Sequence, residues 1–403
     1  FIVEEKNTHM THIEELMFLG GIDGTRKAIN FLRDLRDMLK GNATSAVDIT
    51  VKWDGAPAIF AGVDPADGKF FVAKKGLFNK EPAMYKTPAD IKNALSGELA
   101  KKFTTALAEF SKLGIKKGVY QGDMMFTKGD VKVETIDGQK YYTFQPNTIV
   151  YAVPVSTPLG RQIAKAKIGV VWHTTYTGST IQNMSAAFGK GIANKFKKTA
   201  SIWMDDATYR DISGKATFSK KELSQFDTML SGAGKLFQKM NGDAFRTITQ
   251  DEELRQKVMT FVNTYVRGSK AFPDSNKMAT DLVLYLNEWF QKEIDKKKTE
   301  KAKDAWKERR DTLVNKVAMN KSQLVAMFSL MKILVELKGM VITQLDKTQE
   351  VDTLLKTAKG FQVTKQEGFV AIDKLKGGAV KLVDRLEFSR ANFSPEIIKG
   401  WQK

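Results

Sequence analysis

Residues 48–55 read DITVKWDG. A β-branched, alternating run ends in lysine and breaks at Asp-Gly, which predicts a strand closed by a turn. By alternation Ile49 and Val51 share one face, and Thr50 and Lys52 the other. Lys52 can therefore project into a pocket while its neighbours anchor the strand. A lysine amine so placed can attack phosphorus covalently if desolvation or a nearby cation keeps it neutral. Taken alone, the tetrapeptide Lys52-Trp53-Asp54-Gly55 is equally what a surface lysine before a turn looks like. Its surroundings have to decide.

From about residue 46 to 180 the texture is one of short apolar or alternating runs: VDITVKW, KFFVAKKG, GVYQGDMMF, KYYTFQP, NTIVYAVP and IGVVWHTTY. Gly and Asp punctuate them at PADGK, TKGD and IDGQ, which predicts an antiparallel-rich sheet. A helix is expected over 87–114. Upstream, Ala28, Ile29, Leu32, Leu35 and Leu39 stand at helical spacing, closed by Gly41. From about 220 to 350 the pattern is almost continuously helical; strand texture then returns at FQVTKQEGFVAID and GGAVKLVD. A sheet interrupted and then resumed predicts an α+β chain with a large helical domain inserted before its last strands. The expected boundaries are an N-terminal helical segment at 1–45, the sheet domain's first part at 46–222, the helical insert at 223–350, and the sheet domain's end at 351–403.

Composition narrows the chemistry. The 403 residues contain no cysteine and three histidines, His9, His12 and His173. Disulfides, thiolate metal sites and Cys nucleophiles are excluded, and a histidine-based zinc site or triad has little material. Lys, Asp and Glu remain. The opening FIVEEKNTHMTH has no apolar signal core and starts with Phe, so a trimmed or processed chain is expected. No apolar run approaches a bilayer span, so no membrane partner is expected. Net charge is +18, which favours a polyanionic partner, nucleic acid first.

The order of segments sharpens this. KFFVAKKG puts Lys74 and Lys75 before a glycine, suited to phosphate or ribose; GVYQGDMMF places Gln121 and Asp123 on one strand face. IGVVWHTTY offers Trp172, His173 and Tyr176; QEGFVAID supplies Glu367; and GGAVKLVDR brings Lys381 and then Arg385. Lysine, carboxylate, aromatic, carboxylate, lysine are the groups that hold a nucleoside triphosphate and its metal.

That series resembles the covalent nucleotidyltransferase superfamily of ATP-dependent DNA ligases, RNA ligases and mRNA capping enzymes. KWDG is similar to motif I, VYQGDMMF to motif III (with Asp123 where Glu is more usual), IGVVWHTTY to motif IIIa, EGFV to motif IV and AVKLVD to motif V. The resemblance implies ATP and Mg²⁺ or Mn²⁺ as cofactors, with Lys52 accepting AMP. It implies nucleotide contacts from Asp54 and Gly55 in the turn, with Asp54 mainly holding it, and from Lys75, Asp123, Trp172 and Lys381. Glu367 and Asp123 would contact metal. Motif I continues as Ala56-Pro57-Ala58, without the arginine typical of DNA ligases, and motif V shows one lysine where many relatives have two. Only about eighteen residues follow motif V, too few for an OB-fold, so RNA ligases are the closer match. RNA is thus the expected partner; a DNA ligase, another adenylyltransferase, or a non-catalytic nucleic-acid-binding or virion protein are the alternatives. The whole chain also resembles proteins of T4-like phages and cyanophages, which implies a place in the host cytoplasm.

Two features have blander readings. Trp172 and Tyr176 can equally be core residues, and His173 a satisfied strand histidine. Residues 291–321 hold eleven Lys/Arg and six Asp/Glu, net +5. Lys296, Lys297, Lys298, Arg309 and Arg310 are expected to contact polynucleotide, although interleaved acids at i,i+3 and i,i+4 also suit a solvated helix face.

Overall fold

A computed structural model describes residues 11–40, 47–188, 191–207, 217–268, 270–348, 352–358, 360–364, 368–373, 379–394 and 396–400. The chain is α+β with mainly antiparallel sheets. In order, it runs β1 (Thr11–His12), α1 (Leu16–Leu39), β2 (Val47–Lys52), β3 (Ala58–Val63), β4 (Phe70–Ala73), α2 (Pro88–Ala94), α3 (Gly97–Phe110) and β5 (Val119–Thr127). There follow β6 (Lys132–Ile136), β7 (Gln139–Phe144), β8 (Ile149–Pro154), α4 (Pro158–Lys165), β9 (Ile168–Thr177), β10 (Ser185–Phe188) and β11 (Ile202–Asp206). Six helices come next: α5 (Lys220–Lys239), α6 (Gly242–Gln250), α7 (Glu252–Arg267), α8 (Ser275–Asp295), α9 (Glu300–Met319) and α10 (Lys321–Leu345). The chain closes with β12 (Asp352–Thr357), β13 (Gly360–Val363), β14 (Gly368–Asp373), β15 (Ala379–Leu382) and α11 (Arg385–Phe393).

Two compact units divide these elements: Phe1–Asp48, Asp211–Lys347 and Ala371–Phe393 form the first, and Ile49–Arg210, Thr348–Val370 and Ser394–Lys403 the second. In the first unit α1 packs on α5, α6 and α10, so the N-terminal helix joins the helical block. The cause is its apolar stripe: Ala28, Ile29, Leu32, Leu35 and Leu39 are all buried, each large side chain contributing about 1.5–3 kcal/mol. β1 pairs in parallel with β15, His12 opposite Lys381. Among the described residues no helix is long and apolar enough to cross a membrane.

In the second unit β10-β9-β5-β3-β4 form a sheet to which β11 adds beside β9, and β13-β12-β8-β7-β6 form another. One face of the first sheet packs Ile59, Ala61, Met124, Val170 and Trp172 against Phe103, Ala106 and Phe110 of α3. Part of its other face packs Met125, Phe126, Val171 and Trp203 against Phe144, Tyr151 and Val153 of the second sheet. The helix expected over 87–114 is split in two. Pro88 follows the N-cap Thr87, whose hydroxyl accepts from the Asp90 N–H, and Leu95 and Ser96 are extended before Gly97 at φ 58°. Glycine alone tolerates that dihedral cheaply.

Candidate active site

Lys52 is the last residue of β2, and the chain beyond it is pinned to both sheets of the second unit. The Ala56 N–H donates to the Met124 carbonyl and the Met124 N–H to the Pro57 carbonyl, both at 3.0 Å. Asp54 is buried, and its carboxylate accepts from the N–H groups of Thr148 (2.8 Å) and Ile149 (2.9 Å) and from the Asn147 amide (2.7 Å). Its own N–H donates to the Tyr151 hydroxyl at 2.7 Å. Asp54 therefore spends its acceptors on the Asn147–Ile149 segment before β8. Gly55 is required by space: a Cβ there would stand 2.4 Å from the Asp123 Cβ and 3.0 Å from the Met125 sulfur.

Asp123 and His173 come from neighbouring strands. β9 carries one extra residue where Gln121 pairs Thr174 but Gly122 pairs Trp172. His173 is that residue, and a bulge of this kind re-aims a side chain. Its Nε2 lies 3.8 Å from Asp123 Oδ2, and its Nδ1 2.7 Å from the Thr174 hydroxyl. Both side chains are about a quarter exposed. Burial pushes Asp123 up to about 7 against the opposing charge of Lys52, with the Asp54 charge adding to the rise. His173 is pushed down to about 4, by burial and then by the Lys52 charge. Lys52 thus acts electrostatically on both groups.

Next to Asp123 and His173 the same sheet face turns aromatic. Tyr176 lies 4.6 Å from Phe78 and 5.9 Å from Phe60, ring centre to ring centre, and Phe78 is 5.7 Å from Phe60. The Tyr176 hydroxyl donates to Gln121 Oε1 at 2.7 Å, and burial pushes it up to about 12. Phe78 and Tyr176 remain half-buried, so the cluster has an open side.

Trp172 requires a correction. Its indole is fully buried between Phe110 and Phe196, at 5.3 and 5.4 Å, on the opposite face of the sheet from His173. Strand alternation with a bulge at 173 sends Trp172 into the helix-covered core, so it offers no platform to a nucleotide. Tyr176 is only half-buried, on the other face. Lys75 is exposed on the loop after β4, beside Gly76 at φ 107°. Lys381 lies on β15 in the first unit, and Glu367 lies outside the described residues. Among the described residues no group of three or more His, Cys, Asp or Glu is arranged to hold a metal.

Most of the basic positions expected to contact polynucleotide have acidic neighbours. Lys296 bonds Glu293 (2.5 Å), Arg309 bonds Glu253 (2.8 Å), and Arg310 bonds Asp311 (2.8 Å). The Lys297 amine sits 4.3 Å over the Trp306 ring, and Lys298 is exposed.

Residues 7–397 match a family model described as a family of unknown function, DUF6267. The chain belongs to the DUF6267 family. No curated protein and no solved structure matches this DUF6267 chain. Sequence reasoning passed over Phe60 and Phe78 as well as the Asn147–Tyr151 cradle around Asp54. Phe60 lies in AIFAGV, an apolar run of strand length whose signal was there to use.

Proposed function

We propose that the chain is an ATP-dependent nucleotidyltransferase of RNA-ligase type, with Lys52 as the residue that carries AMP. The observation that carries this reading is the sheet face itself. Asp123 and His173 meet on it, 3.8 Å apart and under the charge of Lys52 from β2, and the same face carries the aromatic cluster of Phe60, Phe78 and Tyr176. A lysine charge felt by a carboxylate and a histidine, with aromatic rings on the same sheet face, suits a nucleoside triphosphate. The resemblance of KWDG, VYQGDMMF and IGVVWHTTY to motifs I, III and IIIa supports it, because these segments bring those side chains to one place.

In this reading the deprotonated Lys52 amine attacks the α-phosphorus of ATP. A nitrogen–phosphorus bond forms, the bond to the bridging oxygen breaks, and pyrophosphate leaves with the electron pair. AMP passes to a 5′-phosphate end, and a 3′-hydroxyl then displaces it to seal the strand. Tyr176 and Phe78 would flank the base. Lys75 would neutralise phosphate oxygens, where charge stabilisation dominates. Asp123 suits a divalent cation, since Mg²⁺ prefers hard carboxylate oxygens and keeps several waters. Glu367 is the second carboxylate in that role. When bound, the ion would neutralise charge developing on the phosphates.

Incubation with α-labelled ATP tests this. Wild type should retain label through denaturation, with an AMP-sized mass increment on Lys52. Lys52→Ala and Lys52→Arg should lose it, the latter because guanidinium stays protonated. Glu367→Ala and excess EDTA should suppress it strongly. Nicked RNA and DNA acceptors then separate an RNA ligase from its relatives. Equal labelling of wild type and Lys52→Ala removes Lys52 as nucleophile, and no labelling at all favours a non-catalytic binding protein.

A further inference from the structure

α9 is a helix out of keeping with its neighbours. Of its residues only Leu313 and Val317 are buried, and nothing from Glu300 to Arg310 is. Yet Trp306 stands in that charged half, half-buried, with its ring 6.1 Å from the half-buried Trp289 of α8. Both indoles rest on the fully buried Phe290, at 5.0 Å for Trp289 and 6.0 Å for Trp306. The pair is thus anchored from beneath, and both rings keep part of their surface exposed.

Cations gather on the rings. The Lys257 amine is 2.9 Å from the Trp289 ring centre; Lys297 and Arg309 lie 4.3 and 5.0 Å from that of Trp306. Burial holds the Lys257 amine below its ordinary range, ahead of the raising charge of Glu253. Trp306 packs α9 on α8 through Trp289 and Phe290, yet two tryptophans and three cations are much to gather at a helix surface that buries so little. Such a grouping suits a single-stranded nucleic acid. Bases stack on indoles with little regard to sequence, and phosphates take the cations. The +5 balance of residues 291–321 supplies the matching field.

We infer that Trp289 and Trp306, with Lys257, Lys297 and Arg309, form a stacking platform for single-stranded nucleic acid in the helical unit. This deepens the ligase reading by naming where the strand lies and in what form, and it rests on that reading only for the strand's purpose. Glu253 and Glu293 hold Arg309 and Lys296 in the unbound protein and give way to phosphate.

The full-length chain is titrated into fluorescein-labelled 20-nucleotide RNA and DNA single strands, and into the matching duplexes, across a salt series. Trp289→Ala and Trp306→Ala should each weaken single-strand binding about tenfold or more with the salt slope unchanged. Lys297→Gln with Arg309→Gln should lower the slope by about one to two. A 5-iodouridine strand, photo-crosslinked to wild type and mapped by mass spectrometry, should mark Trp289 or Trp306, an outcome independent of variant folding. No single-strand binding, unchanged affinity in the folded tryptophan variants, equal affinity for duplex, or crosslinks confined elsewhere would each overturn the inference. Lysyl-AMP formation is measured on the same samples. Labelling without platform-dependent binding defeats this inference alone, and platform-dependent binding without labelling defeats the ligase reading alone.

Discussion

Gly55 has no room for a side chain because Asp123 occupies it: a Cβ there would lie 2.4 Å from the Asp123 Cβ. The glycine of KWDG therefore sets how closely the Lys52 turn approaches β5. Gly55→Ala must push the turn and Asp123 apart, since the Met124 carbonyl, 3.2 Å from the same point, blocks the alternative. We expect a loss of stability of about 1–3 kcal/mol, and lysyl-AMP formation reduced about 100-fold because the displacement approaches 1 Å. Calorimetry and label incorporation check the two together. Wild-type labelling in the alanine variant would detach the Gly55–Asp123 contact from function.

Asp54 bears on stability more than on chemistry. Asp54→Ala leaves the N–H groups of Thr148 and Ile149 without their acceptor in a buried place. At about 1–3 kcal/mol for each unsatisfied buried group, a loss of about 2–6 kcal/mol is expected in urea denaturation. Asp54→Asn keeps one acceptor oxygen and should recover about half. A loss below 1 kcal/mol in the alanine variant would mean that the cradle relaxes freely.

How much of this was legible in the sequence depends on range. The alternation in DITVKWDG correctly ended a strand at Lys52. The partners of Asp54 lie more than ninety residues away, and no local pattern announces Asn147 or Tyr151. Trp172 was misread for a related reason: period-two alternation holds along a strand but does not say which face is covered. α3 decides that, through Phe110. The bulge at His173 leaves no mark on IGVVWHTTY, since it is a property of the β5 pairing. Lys338 of α10 is buried against Glu14, a partner 324 residues away that no local pattern announces.

Asp123 and His173 make opposite demands on pH. The folded state holds the Asp123 proton up to about 7, whereas the unfolded chain releases it near 3.8, so this group's contribution to stability falls as pH rises from 4 to 7. The folded state refuses a proton on His173 down to about 4, whereas the unfolded chain takes one at 6.5, so its contribution rises from 4 to 6.5. Wild type nearly cancels the two. Asp123→Asn should expose the rising limb and His173→Gln the falling one. The difference from wild type should change by roughly 2–4 kcal/mol across the interval. Urea midpoints at pH 4.5, 5.5 and 6.5 test the signs, and parallel profiles for all three proteins would refute the opposition.

In the first unit the Lys338 amine lies 2.8 Å from both oxygens of the Glu14 carboxylate, with side chains 2% and 3% exposed. Arg385 adds a second cation, 3.6 Å from Glu14 and 2.9 Å from Glu15. Burial by itself would raise Glu14; the Lys338 charge, with His12 and Arg385 behind it, outweighs that and holds the carboxyl below its ordinary range. Stability from this pair is accordingly present above about pH 4.5 and lost as pH falls through the lowered value. Removing one partner strands the other charge out of water, so Glu14→Leu and Lys338→Met should each cost about 3–5 kcal/mol at pH 7. The double variant replaces both ions with apolar groups of similar size, and its cost should be well below the sum, approaching zero if the site repacks. Glu14→Leu should also remove part of the acid sensitivity, leaving that of His12, which burial pushes down to about 3. Urea denaturation of the four proteins at pH 7 and pH 4 closes the cycle. Additive costs at pH 7 would mean that the two charges are solvated separately and that the ion pair does not hold α10 to the Glu14 segment.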